Sequence, residues 1–279
     1  MRRVPTTERV HPGGVDLHAL PPRRLLARLH RGDGDAVRAV GRSLPGLARL
    51  VEAASGALSA GGRLVYAGAG TSGRLGALDA AECPPTFGVG RSRVLALVAG
   101  GPAALSRALE GAEDDAAAGA AAVGRARLGP RDLLVGISAS GRTPWVLAAL
   151  REARRRGART ALLTSSPEAR PPVDHRVLLD TGPELVAGST RMKAGTAARM
   201  ALTLLSTAAF VRLGAVDRGL MAALRPSSRK LRERALRNVC ALAGVGPARA
   251  RAALSRCRWS VARALRVLAA RARPRRGRR

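Results

Sequence analysis

The stretch RLVYAGAGTSGRLGALDAAE, residues 63–82, contains the three parts of a βα unit in succession. A short run of Val, Tyr and Ala predicts a buried strand, and Gly, Ser and Thr residues follow it directly. The Ala- and Leu-rich residues after Arg74 then favour a helix. A strand that passes through a glycine-rich loop straight into a helix is typical of α/β proteins with a parallel sheet.

Further apolar runs repeat this pattern along the chain. Ala-rich helical stretches separate most of them, and apolar residues at helical spacing predict a helix from Asp35 to about Leu58. Strands that alternate with helices form a doubly wound parallel sheet, with strands buried on both faces. We therefore predict an α/β fold, with the further strands at VLALVAG (94–100), DLLVGIS (132–138), TALLTS (160–165) and HRVLLD (175–180).

The composition changes at both ends of this region. Residues 1–34 are rich in Pro, Gly, His and Arg and are predicted to form an N-terminal arm, and residues 35–216 would form the sheet domain. Residues 217–270 have a helical pattern with few large apolar side chains, which predicts a small helical C-terminal domain. The Arg-rich end, 271–279, is predicted to be disordered.

The formal net charge is +30, and residues 225–279 carry +17 of it. Such a tail attracts the phosphates of nucleic acids, so a nucleic-acid-binding regulator is one interpretation. Only 2% of the residues are aromatic, however, so the stacking platforms that hold single strands are missing. Compositional drift toward Arg explains the charge more simply, and we expect no specific nucleic-acid partner.

The sequence does not indicate a metal, a cofactor or a membrane. Three cysteines and four histidines lack the spacing of a disulfide framework or a metal cluster. No apolar run reaches the ~20 residues that span a bilayer, and the basic start lacks the apolar segment of a secretory signal. We expect a cytoplasmic protein without a membrane partner or a cofactor.

Two loops of glycine and small hydroxyl residues follow predicted strands, AGAGTSGRLG (67–76) and SASGRTP (138–144). Each stands at a helix N-terminus, where free amides and the helix dipole favour an anion. One such loop could be a simple turn, but two favour phosphate binding. The P-loop pattern is absent, and no acidic residue closes the next strand, so a compact phosphate ester is favoured over a nucleotide. The candidate phosphate and sugar contacts are Thr71, Ser72, Gly73, Ser138, Ser140 and Thr143.

A third segment, GSTRMKAGTA (188–197), opens a long predicted helix at 190–213. Lys193 is one of only two lysines in a chain with 49 Lys and Arg residues, which makes the choice of lysine informative. Its ammonium would lie one turn into the helix near the same anion, and Ser189 is a further candidate contact. The alternative is a solvated lysine on the helix surface.

Two acidic segments are candidates for acid–base chemistry. Glu82 lies just before Pro84, where the helix after the first loop is predicted to end. Glu113 lies in EGAEDD, residues 110–115. Two carboxylates from separate segments can divide the acid and base work at one sugar. The alternative for 110–115 is an acidic helix start, which the helix dipole favours.

Together these motifs resemble the N-acetylmuramic acid 6-phosphate etherases of the sugar isomerase (SIS) domain superfamily. The resemblance covers about Asp35 to Ala215. The family pattern has a lysine at the place of Lys193, and this implies that Lys193 is functional. The motifs, in order, are GAGTSGRLGALDAAECPPTFG (68–88), EGAEDD, GISASGRTP (136–144) and PELVAGSTRMKAGTA (183–197).

The resemblance implies a carbon–oxygen lyase of peptidoglycan recycling. Such an enzyme would remove D-lactate from C3 of N-acetylmuramic acid 6-phosphate by elimination and then add water, which gives N-acetylglucosamine 6-phosphate. By the same resemblance, Glu82 would protonate the departing ether oxygen and Glu113 would remove the C2 proton. No metal or redox cofactor would be needed, and a homodimer is expected because related domains pair.

A non-catalytic sugar-phosphate-binding regulator is the alternative, because the glucokinase regulatory protein belongs to the same superfamily. Phosphate binding alone needs neither Glu82 nor Glu113, so the presence of both favours the enzyme. The arm departs from the family pattern at His11 and Gly14, where an Asn and a Ser or Thr are usual. If the arm closes over the sugar, these two changes would affect substrate affinity.

Overall fold

The chain forms two compact units in the computed structural model, which describes residues 4–224, 226 and 228–272. Unit 1 comprises Met1–Ala81 and Ser92–Thr207. Unit 2 comprises Glu82–Arg91 and Ala208–Arg279. The chain therefore enters unit 2 twice, once for a short segment and once for its C-terminal part.

The domain boundaries expected from composition differ from those of the two units. They cut the chain into consecutive segments at residues 34, 216 and 270, and they stay a prediction. The disordered end expected at 271–279 lies, from residue 273 onward, outside the described residues.

Unit 1 is built around a parallel sheet of five strands. They are β1 (Leu64–Gly68), β2 (Val94–Val98), β3 (Leu133–Ile137), β4 (Arg159–Thr164) and β5 (His175–Leu178). Their order in the sheet is β2-β1-β3-β4-β5, and every residue of β1 and β3 is buried. The predicted α/β fold is confirmed, and the predicted strand positions agree with the observed ones within two residues.

Helices flank the sheet. They are α1 (Pro22–Ser59), α2 (Gly70–Phe87), α3 (Ala116–Arg125), α4 (Pro144–Arg155) and α5 (Lys193–Arg212), and the last residues of α2 and α5 belong to unit 2. Trp145 on α4 packs in an apolar cluster with Val65 of β1 and Leu162 of β4. The ring of Tyr66 on β1 is also buried, so both aromatic residues belong to the core.

Helix α1 begins 13 residues earlier than the apolar spacing predicts. Pro22 stands at its first position, where the fixed φ angle of proline favours helix and the missing N–H costs nothing. Gly32 is buried, and a Cβ there would lie 3.2 Å from the side chain of Lys193. The glycines at 32 and 34 weakened the sequence signal, although Gly32 is what allows the helix to pack closely at this point.

Helix α5 is long and apolar enough to cross a membrane when judged by length and composition alone. In its most apolar 18-residue window, however, 56% is buried within the protein. Ala197, Ala201, Leu202 and Leu205 are completely buried. These contacts are those of a core helix.

Helices α3 and α4 approach each other so closely that Gly119 has no room for a side chain. A Cβ at Gly119 would lie 2.2 Å from the carbonyl oxygen of Trp145. We expect Gly119→Ala to lower the free energy of unfolding by about 1–3 kcal/mol, because the backbone of one helix must move. The matched control is Gly56→Ala on α1, where a Cβ meets nothing within 4 Å. Gly56→Ala should raise the free energy of unfolding by up to about 1 kcal/mol. Equal changes in the two variants, measured by urea unfolding, would contradict the close packing.

Unit 2 contains a two-stranded antiparallel hairpin and three helices. They are β6 (Val216–Asp217), β7 (Leu220–Met221), α6 (Arg229–Ala243), α7 (Pro247–Arg256) and α8 (Val261–Ala272). Leu224, Val239, Leu254 and Val261 form its fully buried core. The predicted small helical C-terminal region is thus present among the described residues.

Candidate active site

The sheet reverses its strand order between β1 and β3. The chain places β2 on one side of β1 and then returns to place β3 on the other side. In open parallel sheets, such a switch point leaves a crevice beyond the carboxyl ends of the strands, and ligands bind there. The two predicted phosphate loops leave β1 and β3, so they meet at this crevice.

The first loop needs its glycines because helix α2 starts directly after β1. A Cβ on Gly73 would lie 2.6 Å from the carbonyl oxygen of Gly68 and 2.8 Å from the side chain of Val98. Gly73 is buried, and Thr71 and Ser72 beside it are half-buried. Gly73 therefore allows helix and strand to approach, and the two hydroxyl residues lie at the N-terminus of α2.

The second loop is a connected cluster of hydroxyl groups. The Oγ of buried Ser138 lies 2.8 Å from Thr143 Oγ1 and 3.4 Å from Ser140 Oγ. It also accepts a hydrogen bond of 3.0 Å from the amide of Gly141, whose φ is +65°. Because Gly141 takes a left-handed conformation, the loop folds back on Ser138 and fixes it in place. The structure brings these three predicted hydroxyl residues together.

A narrow cleft of about 10 Å³, enough for roughly one water molecule, lies at the carboxyl ends of the strands and at the start of α5. Of the predicted residues, Ser72 lines it. The other lining residues with hydroxyl groups, Thr164, Ser165 and Thr190, were missed by the sequence analysis. The signal was present, since β4 ends in three successive hydroxyl residues as a phosphate loop does. The full lining is Ser72, Ile137, Ala139, Leu163, Thr164, Ser165, Leu179, Thr190, Ala194, Gly195 and Ala198.

Lys193 occupies a different place from the expected one. It is the first residue of α5 and is only 3% exposed, so it is not a solvated surface lysine. Its Nζ donates to the carbonyl oxygen of Thr181 at 2.8 Å and lies 3.5 Å from Asp35 Oδ2. The ammonium therefore points toward α1. Lys193 is not among the described residues that line the cleft. A contact of Lys193 with the phosphate stays a prediction.

The start of α5 is held by a buried carboxylate that the sequence analysis did not single out. Glu184 is 1% exposed, and its two oxygens accept hydrogen bonds from the amides of Lys193 and Ala194 at 3.0 and 2.9 Å. Burial raises the pKa of Glu184, although both amides and the charge of Lys193 oppose the shift. Thr190 before α5 and Gly195 within its first turn line the cleft.

Ser189 lies in the turn before α5. Its amide donates to the carbonyl of Val186, and its own carbonyl accepts from the amide of Met192. The neighbouring residue, Thr190, lines the cleft. A substrate contact of Ser189 stays a prediction.

Glu113 lies in an exposed turn just before α3. Its carbonyl oxygen accepts a 3.0 Å hydrogen bond from the amide of Trp145, two residues after Thr143. This bond holds the acidic turn against the second hydroxyl loop. The alternative role, an acidic residue at the start of a helix, belongs to Asp115. Asp115 caps α3 by accepting from the amide of Ala118.

Glu82 belongs to unit 2 and is exposed on the last part of α2. The sequence predicted that Pro84 and Pro85 end this helix, but α2 continues to Phe87. The prolines stand in its last turn, and Gly88, with φ of +66°, ends the helix while its amide donates to the carbonyl of Pro84 at 2.9 Å. Thr86 Oγ1 donates to the carbonyl of Glu82 at 2.7 Å. The neighbouring Cys83 is buried.

Glu168 and the segment before α5 hold the N-terminal arm against the rest of unit 1. Glu168 Oε1 accepts from Thr6 Oγ1 at 2.9 Å and from Arg9 Nη2 at 3.0 Å. Thr6 and Thr7 are buried, and the carbonyl of Thr7 accepts from the amide of Gly188. The arm is therefore attached to the segment that leads into α5.

The two unusual arm residues also have structural roles. His11 Nδ1 accepts from the amide of Gly13 at 2.9 Å. A Cβ on Gly14 would lie 2.2 Å from the carbonyl oxygen of Leu185. In this conformation of the arm, position 14 has no room for the Ser or Thr of the family pattern.

We expect Glu168→Gln to release the arm. Hydrogen bonds from the hydroxyl of Ser166 and then the Glu168 amide, with smaller contributions from Thr6 and Arg9, lower the pKa of Glu168 from 4.5 to about 2. The carboxylate is therefore stabilised above pH 4.5, and this stabilisation is lost as the pH falls toward 2. Only the smaller share that comes from Thr6 and Arg9 belongs to the attachment of the arm. At neutral pH, trypsin should cleave after Arg9 roughly 3–10-fold faster in the variant. Glu110→Gln is the control, and equal cleavage rates would contradict the attachment.

The fold and the cleft define a class of protein. A model of the glucokinase regulatory protein N-terminal SIS domain matches residues 46–154. A protein of E. coli CFT073, solved in complex with A5P, superposes with a TM-score of 0.50 over 72% of this chain and 97% of its own, at 17% identity. At this identity the likeness shows a common fold. The chain is a SIS-domain protein.

Proteins of similar sequence identify the family within this class. The chain is 49% identical over 264 residues to the N-acetylmuramic acid 6-phosphate etherase of Deinococcus radiodurans, over 94% of this chain and 87% of the relative. It is 47% identical over 246 residues to the protein of the same name from Cutibacterium acnes, over 88% and 81%. The chain belongs to the N-acetylmuramic acid 6-phosphate etherase family.

Proposed function

We propose that this protein cleaves the D-lactyl ether of N-acetylmuramic acid 6-phosphate and releases D-lactate and N-acetylglucosamine 6-phosphate. The observation that carries the proposal is the 49% identity to an etherase over 94% of the chain. The two loops at the switch point support it, because hydroxyl groups and a helix N-terminus suit the phosphate of a sugar phosphate. The protein would be a carbon–oxygen lyase of cell-wall recycling in the cytoplasm, acting as a homodimer.

The phosphate is held by the two loops in this proposal. Thr71 and Ser72 stand at the start of α2, where free amides and the positive end of the helix dipole attract an anion. The linked hydroxyls of Ser138, Ser140 and Thr143 can rotate to donate to phosphate oxygens. Lys193 contributes by fixing the start of α5, since its ammonium bonds to the carbonyl of Thr181 and lies beside the carboxylate of Asp35.

The reaction is an elimination followed by a hydration. In the open-chain sugar, the C1 aldehyde makes the C2 proton acidic, and Glu113 removes this proton. The C3–O bond then breaks as the C2–C3 double bond forms, and Glu82 protonates the departing lactate oxygen. Water adds at C3 and a proton returns to C2, which restores both carboxyl groups. The turn of Glu113 against the second loop supports its place beside the sugar.

The test is D-lactate release from N-acetylmuramic acid 6-phosphate in deuterium oxide. We expect release with one deuterium at C2 of the product, since the C2 proton exchanges through the base. Direct hydrolysis would release lactate and leave C2 unlabelled, which would exclude elimination. A protein that binds the sugar phosphate and releases no lactate would be the non-catalytic regulator.

A further inference from the structure

The N-terminal arm and helix α1 enclose a second opening in unit 1. It has a volume of about 720 Å³ and is open to solvent. None of the residues that line it lines the narrow cleft at the strand ends. We call this opening the arm hollow. Its charged and titratable lining residues are His11, Asp16, Arg28, Arg31, Asp35 and Arg38.

Arginines on successive turns of α1 form one side of the arm hollow. Arg28, Arg31 and Arg38 are spaced so that they share one face of the helix. Arg28 donates to the carbonyl of Gly13 at 3.3 Å and also pairs with the carboxylate of Asp16. Arg28 therefore ties the arm to the helix and neutralises one of the two carboxylates that line the hollow.

The second lining carboxylate is also neutralised, which leaves one cation over. Asp35 lies beside Arg38 and 3.5 Å from Nζ of Lys193. Arg31 is exposed, and its side chain has no hydrogen bond or ion pair with any residue that the structure describes. A guanidinium without a counterion in a concave surface favours an anionic ligand.

The arm supplies a hydrogen-bond donor from the other side. His11 Nδ1 accepts from the amide of Gly13 at 2.9 Å, so the proton of the neutral imidazole is on Nε2. Nε2–H is then a donor for a ligand in the hollow. An anion held by both His11 and Arg31 would bridge the arm and α1.

We propose that the arm hollow binds a small phosphate, either free or carried by a sugar, with Arg31 and His11 as its contacts. The several oxygens of a phosphate group can accept from the helix and from the arm at once, whereas the two oxygens of a carboxylate lie in one plane. The volume is within the range of about 300–1,000 Å³ that small-molecule sites have, so a sugar ester fits. This site does not depend on the proposed reaction.

The imidazole of His11 gives a local reading of the site, because the chain has only four histidines. Its NMR signal, assigned through His11→Asn, is followed in the full chain at constant ionic strength while glucose 6-phosphate, inorganic phosphate or glucuronate is added. We expect a saturable shift with both phosphates, at lower concentration than with glucuronate. Tighter binding of glucose 6-phosphate than of inorganic phosphate assigns the hollow to a sugar ester, and equal or weaker binding assigns it to free phosphate. No saturable shift with either phosphate, or glucuronate binding as tightly, overturns the inference.

A pair of arginine variants separates the site from general attraction by a basic protein. Arg31→Gln should raise the dissociation constant at least about 10-fold, because it removes a charge-assisted hydrogen bond to the phosphate. Arg49→Gln is the matched control and should leave it unchanged. Arg49 is exposed on the same face of α1, about five turns or 27 Å farther along, and does not line the hollow. Equal effects of the two substitutions overturn the inference.

A loop variant separates the arm hollow from the hydroxyl loops. Ser138→Ala should leave the titration of His11 unchanged, because Ser138 does not line the hollow. If Ser138→Ala abolishes the shift of the His11 signal, the phosphate binds at the loops and the inference fails. A chain that releases no D-lactate but still shows the His11 titration would refute the proposed reaction alone.

The arm provides a second readout, because a phosphate that bridges it to α1 holds it in place. At ten times the dissociation constant of glucose 6-phosphate, trypsin cleavage after Arg9 should slow about 10-fold, since the ligand binds only the attached arm. Arg31→Gln should reduce this protection to about 2-fold at the same concentration. Equal protection in the wild type and in Arg31→Gln would come from another site and overturn the bridging contact.

Discussion

Glu113→Gln is expected to lower the rate of D-lactate release by about 10²–10⁴-fold, the usual contribution of a positioned general base. The amide keeps the size of the side chain but cannot accept the C2 proton. Binding of the sugar phosphate should change little, because the hydroxyl loops stay intact. The matched control is Glu110→Gln, which is exposed at the start of the same acidic segment. Equal losses in the two variants would show that the turn as a whole, and not Glu113, matters.

The roles of Glu113 and Glu82 can be separated by a change of leaving group. A substrate with fluoride in place of the lactyl ether at C3 eliminates without protonation of the leaving group. Glu82→Gln should therefore release fluoride at nearly the wild-type rate and release lactate slowly. Glu113→Gln should release both slowly, because it lacks the base. The reverse pattern would exchange the two roles.

Much of the fold could be predicted because its signals are local. The apolar runs that became β1 to β5 are short, strongly apolar and separated by helical stretches. The loops after β1 and β3 could also be found, since glycine and hydroxyl residues follow directly on predicted strands. Parallel topology then brings these loops together without any knowledge of side-chain contacts.

The contacts of α5 could not be predicted, because they join residues that are distant in sequence. The rarity of lysine correctly marked Lys193 as unusual, but it carried no information on direction. Its ammonium turns to Asp35 on α1, 158 positions away. Glu184 gave no signal at all, since a glutamate before a turn looks like a surface residue. Its burial appears only when the start of α5 packs onto it.

The ends of two helices were also predicted incorrectly from the sequence. Two prolines normally end a helix, yet in α2 they occupy the last turn because Gly88 closes it. The start of α1 was placed too late, because its glycines lowered the local helix propensity. At Gly32, close packing of α1 outweighed a helix preference of about 1 kcal/mol.

Glu184→Ala is expected to cost about 3–5 kcal/mol of folding free energy, the largest effect on stability that we predict. The substitution removes the carboxylate that accepts from the amides of Lys193 and Ala194, and it leaves the nearby charge of Lys193 less compensated. Each unpaired buried amide alone costs about 1–3 kcal/mol. Urea unfolding measures the loss, and Glu233→Gln, exposed on α6, is the control that should leave the midpoint unchanged.

Glu184→Gln tests whether the carboxylate also positions the cleft in a chain that still folds. The amide can accept only one of the two hydrogen bonds, so Thr190 and Gly195 should lose their fixed position. We expect KM for the sugar phosphate to rise more than kcat falls. The raised pKa of Glu184 makes a second prediction. As the pH rises through that pKa, ionisation of Glu184 lowers the free energy of unfolding of the wild type. The difference in stability between the wild type and Glu184→Gln should therefore shrink with rising pH. An advantage that grows over this range would mean that Glu184 is stabilised in its ionised form, against the effect of burial.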